Sequence, residues 1–219
     1  MTIMNRFDPF GTLEQVVPVK WLHRILRAGM LLVVLIFLVM RIRQYDEFLF
    51  KPLWAAETLL YVIVAIAFAV RSDPVDRSRG VAEIIVPLIG SVLPFALLTT
   101  APGAWILGKP FLLKAVFCWM AIAEGFTAWG IWSLRRSFSI TVEARTLVTH
   151  GPYRWVRHPV YLGEILAAAA VVAWRWSLLN VAIFIFFVII QLYRARWEES
   201  KLRRTFPEYT TFSDRSKWL

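Results

Sequence analysis

Residues 146–164 read TLVTHGPYRWVRHPVYLGE, the densest run of chemistry in a mostly apolar chain. Gly151-Pro152 and His158-Pro159 break regular backbone, because proline fixes φ and removes a donor. Arg154, Arg157, His150 and His158 supply hydrogen-bond donors. Tyr153, Trp155 and Tyr161 supply flat, amphipathic rings. A helix-compatible, largely apolar run, Leu162 to Ala173, follows directly. A polar, kinked segment feeding into an apolar helix belongs at a membrane surface. There a water-soluble cofactor can meet a lipid-soluble substrate.

Outward from this stretch, apolar runs dominate. On its C-terminal side lie Val160 to Ala173 and Ser177 to Tyr193, separated by Trp174-Arg175-Trp176. They predict a tight helical hairpin whose second helix leaves the membrane through Arg194 to Arg204. On the N-terminal side lie four more runs, about 21–40, 53–70, 81–100 and 111–132. Each is close to the ~20 residues that cross the hydrocarbon. Pro87, Gly90 and Pro94 predict a kinked or partly broken third span. Leu134 to Val156 is the longest polar interval, too polar to cross. Near the start, Ile3, Met4, Phe7 and Phe10 suit a short interfacial helix as well as a tail. No apolar core there suggests a cleavable signal peptide.

Of 219 residues, 58% are hydrophobic and 18% charged, against ~45–50% and ~25% in soluble domains. Spanning backbone must satisfy its own hydrogen bonds, so the expected fold is an all-α, multi-pass transmembrane bundle of about six spans. Its expected parts are an N-terminal segment 1–20, four spans in 21–132, and a catalytic region 133–219 of connector, hairpin and tail. The net charge of +10 would point to nucleic acid in a soluble protein. Here the cations flank apolar runs, which points to anionic lipid and membrane topology, with no nucleic-acid partner. With six crossings, nineteen of the twenty-five Lys and Arg fall on one side. That makes both termini and the 134–159 segment cytoplasmic. The lone Cys118 forms no intramolecular disulfide and reads as a buried, inert thiol. No Cys, His, Asp and Glu cluster has metal-ligand spacing. No nucleophile elbow or glycine-rich phosphate loop is present.

Four features carry candidate chemistry. Arg157-His158-Pro159 opens a helix, where unpaired N–H groups and the dipole attract a carboxylate or phosphate. Arg194 and Glu198 share a helix face at i, i+4. They read either as a weak local ion pair or as substrate and cofactor contacts. Glu124, in the middle of the fourth span, is a functional candidate by its cost alone, or a buried glue between helices. Glu164, one turn after Tyr161, is expected to line the same cavity.

Several pieces together resemble the isoprenylcysteine carboxyl methyltransferase family and its phospholipid methyltransferase relatives. They are Ser137 to Ile140, Thr146 to Tyr153, Arg157 to Gly163, and Glu198-Glu199 with Leu202, Phe206, Glu208 and Tyr209. The resemblance implies an S-adenosylmethionine-dependent membrane methyltransferase acting on a lipophilic acceptor, with the cofactor bound on the cytosolic side. It places the cofactor against Arg145, Thr146, Leu147, Val148, His150, Gly151, Tyr153, Arg157, His158, Pro159, Val160, Tyr161, Glu198 and Glu199. It places Arg194 at the substrate end; Glu124 and Glu164, from their positions in the apolar runs, are the further substrate-side candidates. Two other readings remain at this stage: an NADPH-dependent sterol-type reductase using the same Arg-His-Pro element, and a non-catalytic membrane protein.

Overall fold

The computed structural model of the chain describes residues 8–14, 18–48 and 50–218. Eight α-helices are described: α1 Pro9–Glu14, α2 Val19–Arg43, α3 Lys51–Val70, α4 Ala82–Ala96, α5 Pro110–Leu134, α6 Pro159–Trp174, α7 Leu178–Thr205 and α8 Tyr209–Arg215. A 3-10 turn, Leu97–Thr99, extends α4, and two more punctuate the α5–α6 connector at Arg135–Ser137 and Gly151–Arg154. Proline stands in the first turn of α3, α5 and α6. Its missing N–H is one the helix start leaves unpaired anyway. The interfacial reading of Ile3, Met4 and Phe7 lies outside the described residues.

The expected helical membrane bundle is present. Among the described residues five helices are long and apolar enough to cross a membrane: Trp21–Arg43, Lys51–Val70, Ala82–Thr99, Pro110–Ser137 and Leu178–Thr205. The sixth apolar run differs from expectation. Helix α6 has 16 residues, about 24 Å at 1.5 Å per residue, short of the ~30 Å hydrocarbon thickness. In the third span, α4 runs through Pro87 and Pro94 as one helix and tightens to 3-10 at Leu97. Cys118, expected inside, is exposed on α5. Its apolar surroundings are therefore lipid rather than protein.

The helices pack in the order α2, α3, α5, α6, α7, α4, with α5 against α6 the most extensive contact. Small residues set that contact. A Cβ at Gly163 would lie 2.1 Å from Thr127 Oγ1 and 3.0 Å from the Thr127 backbone nitrogen. Without a hydrophobic drive between helices in lipid, such close approach supplies the packing energy. One buried cluster, including Phe117, Met120, Val171 and Phe187, fills the end nearer the α6–α7 tip. Another, including Phe68, Ile131, Phe138 and Val160, fills the connector end. At the tip, the buried Asn180 side chain donates to Leu97 O, Thr100 Oγ1 and Arg175 O.

The connector, residues 135–158, is folded onto the α3–α4 loop. Asp76 and Ala144 form an antiparallel bridge, and Ser72 N donates to Arg136 O at 3.0 Å. The buried Lys201 of α7 locks this arrangement. Its Nζ donates to Glu83 Oε2 at 2.6 Å, Arg77 O at 2.8 Å and Val142 O at 2.9 Å.

Candidate active site

Where the connector meets α6 and α7 lies a partly open hollow of about 60 Å³. Tyr153, Arg157, His158, Val160, Tyr161, Glu164, Arg194 and Glu198 line it, together with Ser91 of α4 and Ser137 to Thr141 and Glu143 of the connector. Four segments far apart in sequence thus converge on one space. Local structure explains the convergence. Gly151 has φ +61 and lies so close to Ser133 that a Cβ would sit 2.4 Å from its Oγ. This left-handed turn, open to glycine, lays Tyr153 down into the hollow. His158 then caps α6 and Tyr161 follows one turn later, their rings stacked at 5.5 Å.

Glu198 is the acceptor on the opposite wall. Tyr161 OH donates to its Oε2 at 2.9 Å, and His158 Nδ1 lies 3.8 Å from the same oxygen. Its side chain is 31% exposed, so one edge of the carboxylate remains open. Glu199 turns the other way. It takes the Arg157 guanidinium at 2.9 Å and lies 3.4 Å from His158 Nε2. Arg157 is held again by the tail: its Nε donates to Ser216 O at 3.2 Å and its backbone N–H to Lys217 O at 2.8 Å. Lys217 N donates back to Trp155 O at 2.9 Å, and the Trp218 ring stands edge-on to His158 at 6.1 Å.

Arg194 closes the membrane side. Its guanidinium donates to Gln191 Oε1 at 2.6 Å and Ile140 O at 3.2 Å, lies over the Tyr161 ring at 4.8 Å, and is 3.9 Å from Glu164. Gln191 also donates to Glu164. The local i, i+4 alternative is not what forms: Arg194 partners α6 and the connector, and Glu198 partners Tyr161. Burial, and next the nearby Glu198 carboxylate, hold the Tyr153 hydroxyl well above its ordinary pKa. The phenol is therefore neutral and available as a donor.

The remaining expected residues fall elsewhere. Arg145 is buried beside Glu143, its Nε and Nη1 without a hydrogen-bond partner. Thr146 meets Ser137. Leu147, Val148, His150, Gly151, Pro159 and Glu199 do not line the hollow. Glu124 also stands outside it. Sequence reasoning missed Ser91, Gln191, Glu143, Lys201 and Glu83. Gln191 had a signal, as a lone amide in an apolar run. Lys201 and Glu83 are 118 residues apart and had none. Among the described residues no group of three or more His, Cys, Asp or Glu is arranged to hold a metal ion.

The arrangement combines a carboxylate edge, aromatic faces and guanidinium donors at the foot of an apolar bundle. It suits a small polar molecule carrying both an ammonium and a carboxylate, facing a lipid-soluble partner. Residues 104–209 match the sequence model of the phospholipid methyltransferase family. No curated protein and no solved structure matches the chain.

Proposed function

We propose, on the premise that residues 104–209 belong to the phospholipid methyltransferase family, that this membrane methyltransferase uses S-adenosylmethionine to methylate a lipophilic, isoprenoid- or lipid-like acceptor. The observation that carries the reading is the convergence of Tyr153, His158, Tyr161, Arg194 and Glu198 on one hollow. The donor set fits such a cofactor. Arg194 Nε is buried without a hydrogen-bond partner, and a buried orphan donor calls for a ligand. Glu198 presents its open edge to an ammonium or to ribose hydroxyls. The first turn of α6 presents unpaired N–H groups to a carboxylate. At about 60 Å³ the hollow is narrower than the ~300–1,000 Å³ of typical ligand sites. Entry therefore parts the connector from α7.

When bound, S-adenosylmethionine supplies an electrophilic sulfonium methyl. The chain's own task is alignment and exclusion of water. Tyr161 and His158 hold Glu198 in place. Tyr153 offers a neutral hydroxyl. Arg194, fixed by Gln191 and Ile140 O, orients the acceptor at the bilayer side, including a carboxylate if the acceptor carries one. With the α6–α7 hairpin counted as two crossings, this reading puts both termini and the hollow on the cytoplasmic side, where most Lys and Arg fall. Calorimetry with adenosylmethionine and adenosylhomocysteine in detergent tests the proposal. The parent is expected to bind both, and Glu198→Ala at least tenfold more weakly, about 1.4 kcal/mol. Equal binding by Glu198→Ala removes that residue from the site. Binding of NADPH in place of both ligands overturns the reading.

A further inference from the structure

We propose that the groove between the connector-side ends of α3 and α5 binds an anionic phospholipid, gripped at its phosphate by Arg135 and Arg136. The groove has a volume of about 300 Å³, within the range of small-molecule sites. Its outer walls are the exposed Ile66, Val70 and Trp132, and the buried Ile131 forms part of its floor. Any spanning helix offers apolar surface to lipid tails. This surface differs because it is indented and has a cationic mouth.

Arg135 and Arg136 are both exposed. Among the described residues neither side chain has an ion pair or a hydrogen bond. At the same end, Arg27, Arg77, Arg145, Arg157 and Lys201 each face a carboxylate. Two adjacent guanidiniums without counter-charge match a phosphodiester, which they can contact through paired N–H donors. The backbone adds an independent observation. Arg135 has φ +46 and ψ −108, and it is the one non-glycine residue at positive φ among those described. That conformation is costly for a residue with a Cβ and, where it persists, commonly marks a ligand clamp. Its effect is directional. The guanidinium lies over the Trp132 ring, 5.2 Å from the centroid, at the groove mouth. The Arg136 carbonyl is pinned by Ser72 N and Oγ at 3.0 and 3.1 Å, which fixes the backbone and leaves the side chain outward. A zwitterionic headgroup brings its own cation beside these guanidiniums, so an anionic lipid is favoured.

The position has a consequence. Leu134 and Ser137 flank the two arginines and line the hollow on the other side of the same turn. Lipid in the groove therefore braces one wall of the candidate active site. The inference rests on shape and charge and does not depend on which reaction the hollow performs.

The test uses the full chain purified in detergent. Dioleoylphosphatidylglycerol, dioleoylphosphatidylcholine, dioleoylphosphatidylethanolamine and inorganic phosphate are added separately. Retained lipid is counted by native mass spectrometry, and the thermal midpoint is followed in parallel. At about 1 kcal/mol per arginine, phosphatidylglycerol is expected to be retained roughly thirtyfold better than either zwitterionic lipid. Arg135→Gln with Arg136→Gln is expected to abolish the preference, and Lys109→Gln with Lys114→Gln at the opposite end of α5 to keep it. Ile66→Trp fills the groove with both arginines intact and is expected to lower retention of every lipid. Equal retention of the three lipids, a preference that survives the double arginine variant, undiminished retention by Ile66→Trp, or a response to inorganic phosphate matching that to lipid each overturns the proposal.

Discussion

Replacing Lys201 by Met tests whether the connector is locked down as described. Methionine keeps the length and flexibility of the side chain and removes its three donors. The loss divides into parts. Val142 O keeps a donor, because Ser78 Oγ lies 3.0 Å away. Arg77 O loses the bond from the Lys201 ammonium, and a hydrogen bond from a charged donor is worth about 1.5–3 kcal/mol. The Glu83 carboxylate loses its cation but keeps the Arg79 backbone N–H at 2.7 Å and is 21% exposed. Breaking a fully buried pair costs ~3–5 kcal/mol, and that exposure and remaining donor bring this one to about 2. Removing the buried ammonium returns part of its desolvation cost. The net expectation is a loss of about 3 kcal/mol, roughly 6–12 °C in thermal midpoint for a chain of this size. Thermal unfolding in detergent, followed by intrinsic fluorescence, measures it. Glu83→Gln in the same chain removes the uncompensated charge, so the double variant is expected to recover about half of the loss. A single variant within 2 °C of the parent, or a double variant less stable than Lys201→Met alone, refutes the reasoning.

Three further outcomes follow from the same geometry. Gly163→Ala is expected to destabilise by about 2–3 kcal/mol through overpacking against Thr127, and Thr127→Ala in addition to restore roughly half, measured by thermal midpoint. Tyr153 binds its proton more tightly folded than unfolded, so its stabilising contribution is present below about pH 10 and is lost as pH rises through the higher folded value. Spectrophotometric titration should therefore show that Tyr153→Phe removes a phenol ionising only well above pH 10; loss of one ionising near 10 contradicts the burial argument. Deleting residues 216–219 removes the bonds from Arg157 to Ser216 O and Lys217 O. It is expected to weaken adenosylhomocysteine binding by about tenfold, read by calorimetry.

What could be read in advance divides along a physical line. Runs such as Trp21 to Met40 declare helices because the hydrocarbon forces every residue in them to be apolar and every backbone group to pair within the segment. Their ends extended a few residues beyond the apolar limits, as in α2, which runs to Arg43. Pro87 and Pro94 did not interrupt α4, whose regular turns give way to 3-10 only at Leu97. Cys118 was misplaced because an apolar neighbourhood in sequence does not distinguish protein from lipid. Tyr153, His158 and Tyr161 were legible as candidates from local chemistry around the Arg-His-Pro element, and Glu198 from its helix-face spacing and the family resemblance. The partners that hold them were not. Arg194 and Glu198 look like a helix-face pair until α6 supplies Tyr161 and Glu164. Arg157 looks like a free ligand donor until Glu199 and Ser216 claim it. Pairings as far apart as 37 residues, for Tyr161 and Glu198, or 124, for Arg77 and Lys201, leave no periodic trace.

The neighbour relation between α4 and α7 bears on how the protein is made. Gly90 of α4 sits so close to α7 that a Cβ would lie 2.9 Å from the Ile190 side chain. Yet α4 ends at Ala96 and α7 begins at Leu178. At ~5–20 residues per second the ribosome needs about 4–16 s to cover that interval. During this time the notch at Gly90 and the Ser91 hydroxyl face lipid, or the insertion machinery, instead of their final partner. Assembly therefore has a built-in waiting period, in which α5 and α6 are emplaced before the last helix arrives to seal the far side of the bundle.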